Sequence, residues 1–187
     1  MIFVRQNSVR VLRRSETINH PIIVYRLGSL GDTIFALPCF HAIRARFPGR
    51  KIILLTNVPV SGKAAPLMAV LGTDGQFADD VIEYPISLRK LGGLATLART
   101  IRATGASTLI YLMPKRSRWQ AWRDWVFLKF AAGIREILCF PDSDDLRDVR
   151  VDPVSGEVER EASRLIRTCA TLGPIDIEDR KNWDLML

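Results

Sequence analysis

A short glycine-containing turn holds the residues with the clearest chemical potential in this sequence. Gly28, Ser29 and Gly31 follow an apolar run at residues 22–25, and Asp32 comes directly after them. Two glycines let the backbone turn sharply and let a ligand approach it closely. In an open α/β sheet, ligands bind where loops leave the carboxyl ends of strands. The pattern therefore predicts a ligand site at this turn, with a carboxylate at its mouth.

Several other chemistries do not fit the residues around this turn. Residues 28–31 do not form the GxGxxG of dinucleotide-binding folds, and no acidic residue closes the second predicted strand at Thr56. Residues 61–63, Ser-Gly-Lys, lack the upstream glycine and the following Ser or Thr of a P-loop. Only His20 and His41 are present, and no metal cluster or Ser-His-Asp pattern is visible. Hydride transfer, nucleotide hydrolysis, triad chemistry and a metal site are therefore not predicted.

A regular alternation of strands and helices positions the turn. Runs that are apolar throughout are typical of strands buried on both faces, and segments of crossover length separate them. The sequence predicts an α/β fold, a parallel sheet with helices on both faces. The predicted strands are residues 22–25, 51–56, 80–84, 107–113 and 134–140. The predicted helices begin at residue 32 and span residues 64–71, 88–103, 118–132 and 157–172, with a kink at Pro38 and a surface loop at residues 141–156.

Length and composition are those of a globular protein with one domain. The chain has 187 residues, of which 48% are apolar and 25% charged. Its three cysteines are odd in number and form no CxxC, so neither a disulfide framework nor a zinc site is indicated and a cytoplasmic location fits best. No signal-peptide run opens the chain, and no stretch reaches the length of a membrane span.

Charge is distributed unevenly along the chain. Residues 1–140 contain 20 basic and 8 acidic residues, whereas residues 141–187 contain 7 and 12. A basic body predicts a partner or substrate that carries phosphates or carboxylates. Residues 1–20 form a basic N-terminal extension, for which a disordered tail, an added helix or strand, and contact with an anionic surface all remain open.

The glycine turn is part of a longer motif that resembles a known enzyme family. Residues 26–32 (RLGSLGD), Leu37-Pro38 and residues 44–48 (RARFP) resemble the N-terminal signature of glycosyltransferase family 9, the heptosyltransferases of lipopolysaccharide core assembly. Looser similarity extends over nearly the whole chain. One departure is Cys139, which stands where typical members have a glycine.

The resemblance implies an architecture and an activity. Members of the family have two Rossmann-like domains in the GT-B arrangement, the first binding the acceptor and the second a nucleotide-activated sugar. Residues 21–181 would be the Rossmann-like acceptor domain, and residues 182–187 a terminal strand that starts the interdomain connection, with the second domain absent. The implied reaction is an inverting, metal-independent transfer from a donor such as ADP-heptose to lipopolysaccharide or another glycan.

The resemblance also assigns roles to individual residues. Asp32 corresponds to the proposed catalytic base, which takes the proton of the acceptor hydroxyl; the alternative is that it only caps the helix. Arg26 would orient the glycine turn or meet the acceptor. The remaining predicted acceptor-binding residues are Gly28, Ser29, Gly31, Lys63, Lys115, Arg116 and Arg118. The basic ones could hold phosphates or acidic sugars, with solvated surface charge as the alternative for each.

The helix predicted at residues 118–132 has an unusual aromatic pattern. Trp119, Trp122, Val126 and Phe130 follow a helical spacing, with basic residues between them. Packing in the core is one explanation, and a basic, aromatic face that rests on the inner membrane leaflet is the other. No known module for binding nucleic acid is recognisable.

Two functional hypotheses follow from the sequence. The first is the acceptor half of a glycosyltransferase, which works with a companion donor-domain chain or as a homodimer. The second is a non-catalytic module that binds a glycan or a protein. The glycine turn and Asp32 favour the first, whereas the absent donor domain favours the second.

Overall fold

A five-stranded parallel sheet forms the centre of the described part of the chain. The computed structural model describes residues 20–27, 30–57, 71, 76–85 and 91–185. The strands of the sheet lie in the order β3-β2-β1-β4-β5. They are β1 Ile22–Tyr25, β2 Ile52–Asn57, β3 Asp80–Tyr84, β4 Thr108–Tyr111 and β5 Glu136–Leu138. The predicted Rossmann-like α/β architecture is confirmed.

The strand order creates a crevice at the carboxyl edge of the sheet. The chain moves from β1 outward to β2 and β3, and then crosses to the other side of β1 to form β4 and β5. Tyr25, at the end of β1, is in register with Leu55 of β2 and Tyr111 of β4. In doubly wound folds, ligands bind where the winding direction changes. Here that point lies between the carboxyl ends of β1 and β4.

Both faces of the sheet are buried, which explains the uninterrupted apolar runs. On one face, Ile22 and Val24 pack in a cluster with Phe40. On the other face, Ile23 lies in a second cluster with Ile101. A strand covered on both faces has no solvent side, so every position favours an apolar residue.

The helices of the described residues match most of the predicted ones, with shifted ends. They are α1 Leu30–Ile34, α2 Leu37–Arg46, α3 Leu91–Ala103, α4 Arg118–Val126, α5 Asp144–Arg147 and α6 Glu161–Thr168. The predicted kink at Pro38 is instead a break between α1 and α2. Pro38 lies in the first turn of α2, where its missing N–H needs no helical partner. The helix predicted at residues 64–71 lies almost entirely outside the described residues.

Three segments differ from the sequence prediction for local reasons. After α4 the helix widens into a π-helical turn, Phe127–Ala131, in which the Ala132 amide donates to the Phe127 carbonyl at 2.9 Å. The helix predicted from residue 157 begins later, because Val151 and Val158 pair as an antiparallel bridge. The prediction of a terminal strand at residues 182–187 is wrong for residues 182–185, the part that the structure describes. A 3₁₀ turn, Arg180–Trp183, takes its place, since the Asp179 side chain accepts from the Lys181 amide and caps it.

The backbone at Cys139 has a conformation that suits the glycine of the family that the sequence resembles. Its φ angle is +56°, in the left-handed region that favours glycine. Cys139 is buried in one core cluster with Cys39 and Cys169, and all three are free thiols. Burial raises the pKa of the Cys169 thiol well above its usual value, which keeps it protonated. These cysteines therefore serve as core residues.

No helix among the described residues combines the length and the apolar content that crossing a bilayer requires. The longest of them, α3, has 13 residues. A membrane-spanning helix needs about 20.

A buried arginine ties α6 to the end of β4. Arg164 is almost inaccessible to solvent and donates to the Met113 carbonyl at 2.9 Å. Its guanidinium also makes two bonds of 2.7 Å to the Glu161 carboxylate, one turn earlier in α6. A buried ion pair of this kind is costly to break because it leaves the partner unpaired.

We therefore expect Arg164→Ala to destabilise the fold by about 3 kcal/mol. The substitution leaves the Glu161 carboxylate without its cation and the Met113 carbonyl without its donor. Urea unfolding of the full chain measures this change. Arg150→Ala is the matched control, because Arg150 makes a similar two-pronged pair with Asp145 that is exposed to solvent and should scarcely matter. Equal losses for the two variants would contradict the structural role of Arg164.

Candidate functional site

The exit of β1 is fixed by a second buried arginine, Arg26. Its side chain is fully buried, and Nη1 donates to the Leu112 carbonyl just after β4 at 2.8 Å. Nη2 donates to the main-chain carbonyl of Asp32 in α1. One guanidinium therefore joins the two sides of the crevice. The two roles predicted for Arg26 both stay predictions, since Gly28 and Ser29 of the glycine turn lie outside the described residues.

The electrostatics around Arg26 are balanced by carboxylates. Burial lowers the pKa of its guanidinium, while the nearby carboxylates of Glu161 and Asp32 act in the opposite direction. Its Nε is buried and has no hydrogen-bond partner among the described residues. Its charge is therefore compensated from both sides of the crevice, by α1 and by α6.

Asp32 lies at the surface end of this arrangement. It is the third residue of α1 and is half-buried, while the buried Thr33 follows it. Asp32 is the third residue of this helix, a position from which a carboxylate can close a capping box, so the alternative that it caps the helix stays open. Gly31, also in α1, is exposed, and its carbonyl accepts from the Phe35 amide at 3.3 Å. The structure thus fixes the backbone of Asp32 and leaves the residue half-buried.

The three basic residues after β4 do not act as one group. Lys115 is exposed and pairs with Asp148 at 3.5 Å, on the side of α5. Arg116 is half-buried and lines a cavity on the other face of the sheet. Arg118 is the exposed first residue of α4. Three other predicted site residues lie outside the described residues: Gly28, Ser29 and Lys63.

The cavity that Arg116 lines has a volume of about 540 Å³ and lies at the carboxyl edge of the sheet. Its floor is formed by the ends of β1, β2 and β3, and its walls by α3 and α4. The polar residues that line it are Tyr25, Asn57, Tyr84, Arg116, Arg123 and Asp124. Asp32 is not one of them, since α1 leads from β1 into α2 on the opposite face.

All three tyrosines of the protein lie at this edge, each as the last residue of a strand. The hydroxyls of Tyr25 and Tyr84 are 2.6 Å apart and share a hydrogen bond. The Tyr111 hydroxyl donates to the buried Asp124 carboxylate at 2.9 Å, and Arg123 pairs with the same carboxylate at 3.2 Å. Asp124 is thus engaged on both oxygens.

Burial is the main cause that raises the pKa of each of these phenols. For Tyr111, the charge of Asp124 adds to this effect, whereas the guanidinium of Arg116 opposes it at all three tyrosines. The floor of the cavity is therefore neutral and can both donate and accept hydrogen bonds. Its wall carries the cation of Arg116, whose buried Nε has no hydrogen-bond partner in the part of the chain that the structure describes. A polyhydroxylated ligand with an anionic group fits this chemistry.

The sequence prediction missed the tyrosines and Asp124. A signal was present, because Tyr25 and Tyr84 were the last residues of predicted strands and such residues face the ligand edge of a parallel sheet. The bond from Tyr111 to Asp124 joins β4 to α4 and has no counterpart in the sequence spacing. Only the packing of α4 on the sheet brings these two residues together.

Comparison with solved structures finds this fold in a crystal structure of a glycosyl transferase family 9 protein from Veillonella parvula. The TM-score is 0.50, the sequence identity is 21%, and the match covers 84% of this chain and 43% of that chain. The chain thus spans less than half the length of that protein. No family model and no curated protein matches the sequence. At this identity the likeness establishes a shared, glycosyltransferase-like fold.

The tyrosine cluster leads to a prediction for alkaline titration. The pKa of each phenol is raised in the folded protein. The contribution of these phenols to the free energy of unfolding is therefore complete below the ordinary tyrosine pKa of about 10 and is lost as the pH rises above it. Phenolate absorbance of the folded chain should therefore show no transition near pH 10, and ionisation should accompany unfolding. The chain in denaturant is the control and should titrate normally. A normal transition in the folded chain would contradict the buried cluster.

Proposed function

We propose that this chain is the acceptor-binding domain of a glycosyltransferase-like enzyme, with Asp32 as the catalytic base. The observation that carries the proposal is the tethering of Asp32 by the buried Arg26 at the point where the winding of the sheet reverses. The fold shared with a family 9 structure supports the same assignment.

In the proposed reaction, Asp32 accepts the proton of an acceptor hydroxyl. The oxygen then forms a bond to the anomeric carbon of a nucleotide-activated sugar, while the bond from that carbon to the nucleotide phosphate breaks and its electron pair leaves with the phosphate. The anomeric centre is inverted. The Asp32 carboxylate suits this role because Arg26 donates a hydrogen bond to the main-chain carbonyl of Asp32 and so holds that residue at the crevice. A heptose donor such as ADP-heptose, bound by a second domain or a companion chain, is the proposed partner.

The proposed acceptor is an anionic glycan, such as the phosphorylated core of a lipopolysaccharide. Arg116 would pair with its phosphate or carboxylate, and the hydroxyls of Tyr84 and Tyr25 would bond to its sugar hydroxyls. The acceptor would then extend along the edge of the sheet, from the cavity on one face toward Asp32 beside the other.

One observation favours a second candidate function. Asp32 is not among the described residues that line the cavity, so a glycan could bind there without being glycosylated. In that case the chain would be a non-catalytic glycan-binding module, and substitution of Asp32 would leave binding intact.

The catalytic proposal predicts that Asp32→Asn lowers the rate of sugar transfer on the order of a hundredfold or more, since the amide keeps the shape but cannot take a proton. Transfer from ADP-heptose to a lipopolysaccharide core acceptor should be measured with the donor-binding partner supplied. Asp80→Asn is the control, because Asp80 is an exposed carboxylate at the start of β3, on the opposite edge of the sheet. Transfer by Asp32→Asn at the wild-type rate would remove Asp32 from the mechanism.

The binding proposal predicts different effects for two adjacent basic residues. Arg116→Ala should weaken binding of an anionic acceptor roughly tenfold, because a charge-assisted contact in the cavity is lost. Lys115→Ala should have little effect, since Lys115 pairs with Asp148 away from the cavity. Calorimetric titration of the full chain with the acceptor measures both. Equal weakening by the two substitutions would contradict the assignment of the cavity.

A further inference from the structure

The outer side of α4 and its π-helical extension carries large aromatic side chains in solvent. Trp119 is 66% exposed, Trp122 52% and Phe130 71%. The two indole rings stack with their centroids 4.9 Å apart. We call these three residues, with the basic residues around them, the aromatic face. Of the two explanations that the sequence left open, core packing is wrong for these three side chains.

The opposite side of the same helix accounts for the packing against the sheet. Ala121, Asp124 and Leu128 are buried there. Asp124 is hydrogen-bonded to Tyr111, and Leu128 belongs to a core cluster with β4. The helix is therefore anchored on the sheet without the aromatic face. Within the described residues, the Phe130 ring contacts Trp125 with the centroids 5.8 Å apart, yet the three side chains of the face remain largely exposed.

The chain segment that carries the aromatic face is strongly basic. Residues 115–135 contain six basic residues and one acidic residue, and the acidic one is the buried Asp124. Arg118 and Arg123 are exposed beside the indoles. Exposed tryptophan and phenylalanine beside exposed arginines are features of a surface that rests on anionic lipid.

We propose that the aromatic face docks on an anionic membrane surface, with Trp119, Trp122 and Phe130 in the interface and the neighbouring arginines on lipid phosphates. Charge decides between this occupant and a second copy of the chain. A symmetric dimer through this face would place the same cations opposite one another, which is repulsive. An anionic bilayer is complementary to both the charge and the aromatic groups.

The docking also has a geometric consequence, which rests on the proposed function. Arg116 and Arg123 line the cavity, and α4 begins two residues after Arg116. The docked membrane would therefore be close to the cavity. A glycan acceptor attached to a lipid could reach the cavity without leaving the bilayer.

Co-sedimentation with vesicles tests the docking without any donor or acceptor. The full chain should bind vesicles that contain phosphatidylglycerol and should bind pure phosphatidylcholine vesicles much more weakly, with binding reduced by salt. Trp119→Ala combined with Trp122→Ala should weaken binding to anionic vesicles roughly tenfold or more, since two apolar anchors are lost. Both side chains are exposed, so the urea midpoint should stay unchanged.

The matched control is Val154→Ala combined with Val158→Ala. These valines are 95% and 65% exposed, but they lie in the acidic C-terminal part of the chain, next to Asp152 and Glu157. Their substitution should leave vesicle binding unchanged. The proposal is overturned if the chain ignores anionic vesicles, or if the tryptophan variant binds them as well as the wild type. It is also overturned if the chain is a dimer that the tryptophan substitutions dissociate. None of these outcomes depends on sugar transfer.

Discussion

The buried guanidinium of Arg26 joins the two strand exits between which the candidate site lies. It bonds to the Leu112 carbonyl after β4 and to the Asp32 carbonyl in α1, so the backbone of Asp32 is held against the end of β4. A buried cation is tolerated only with such partners. The nearby carboxylates of Asp32 and Glu161 favour its charge. Arg164 then extends the network from Glu161 to Met113, the residue after Leu112.

On the other face of the sheet, the same edge forms a cavity with a different chemistry. Tyr25 and Tyr84 bond to each other, while Tyr111 and Arg123 hold Asp124 inside. What remains for a ligand is a set of neutral hydroxyls and the cation of Arg116. In the proposed function, the cavity on one face of the sheet binds an anionic glycan, and Asp32 beside the other face is the base.

The fold could be predicted from the sequence because short apolar runs such as residues 22–25 are followed by turn residues and alternate with segments of helical length, a pattern typical of buried parallel strands. The break at Pro38 could not, since a proline inside a helical pattern fits either a kink or a new first turn. The spacing of Trp119, Trp122 and Phe130 correctly predicted that these side chains lie on one side of a helix. It did not say which side of the helix faces the sheet, and Asp124 decides that by bonding to Tyr111.

The most direct test of the account is a crystal structure of the full chain with an anionic glycan acceptor bound. We expect the acceptor's anionic group to contact Arg116 and a sugar hydroxyl to lie within about 3 Å of an Asp32 carboxylate oxygen, the distance from which a base can take a proton. An acceptor bound away from the β1–β4 crevice, or one with every hydroxyl out of reach of Asp32, would contradict the account.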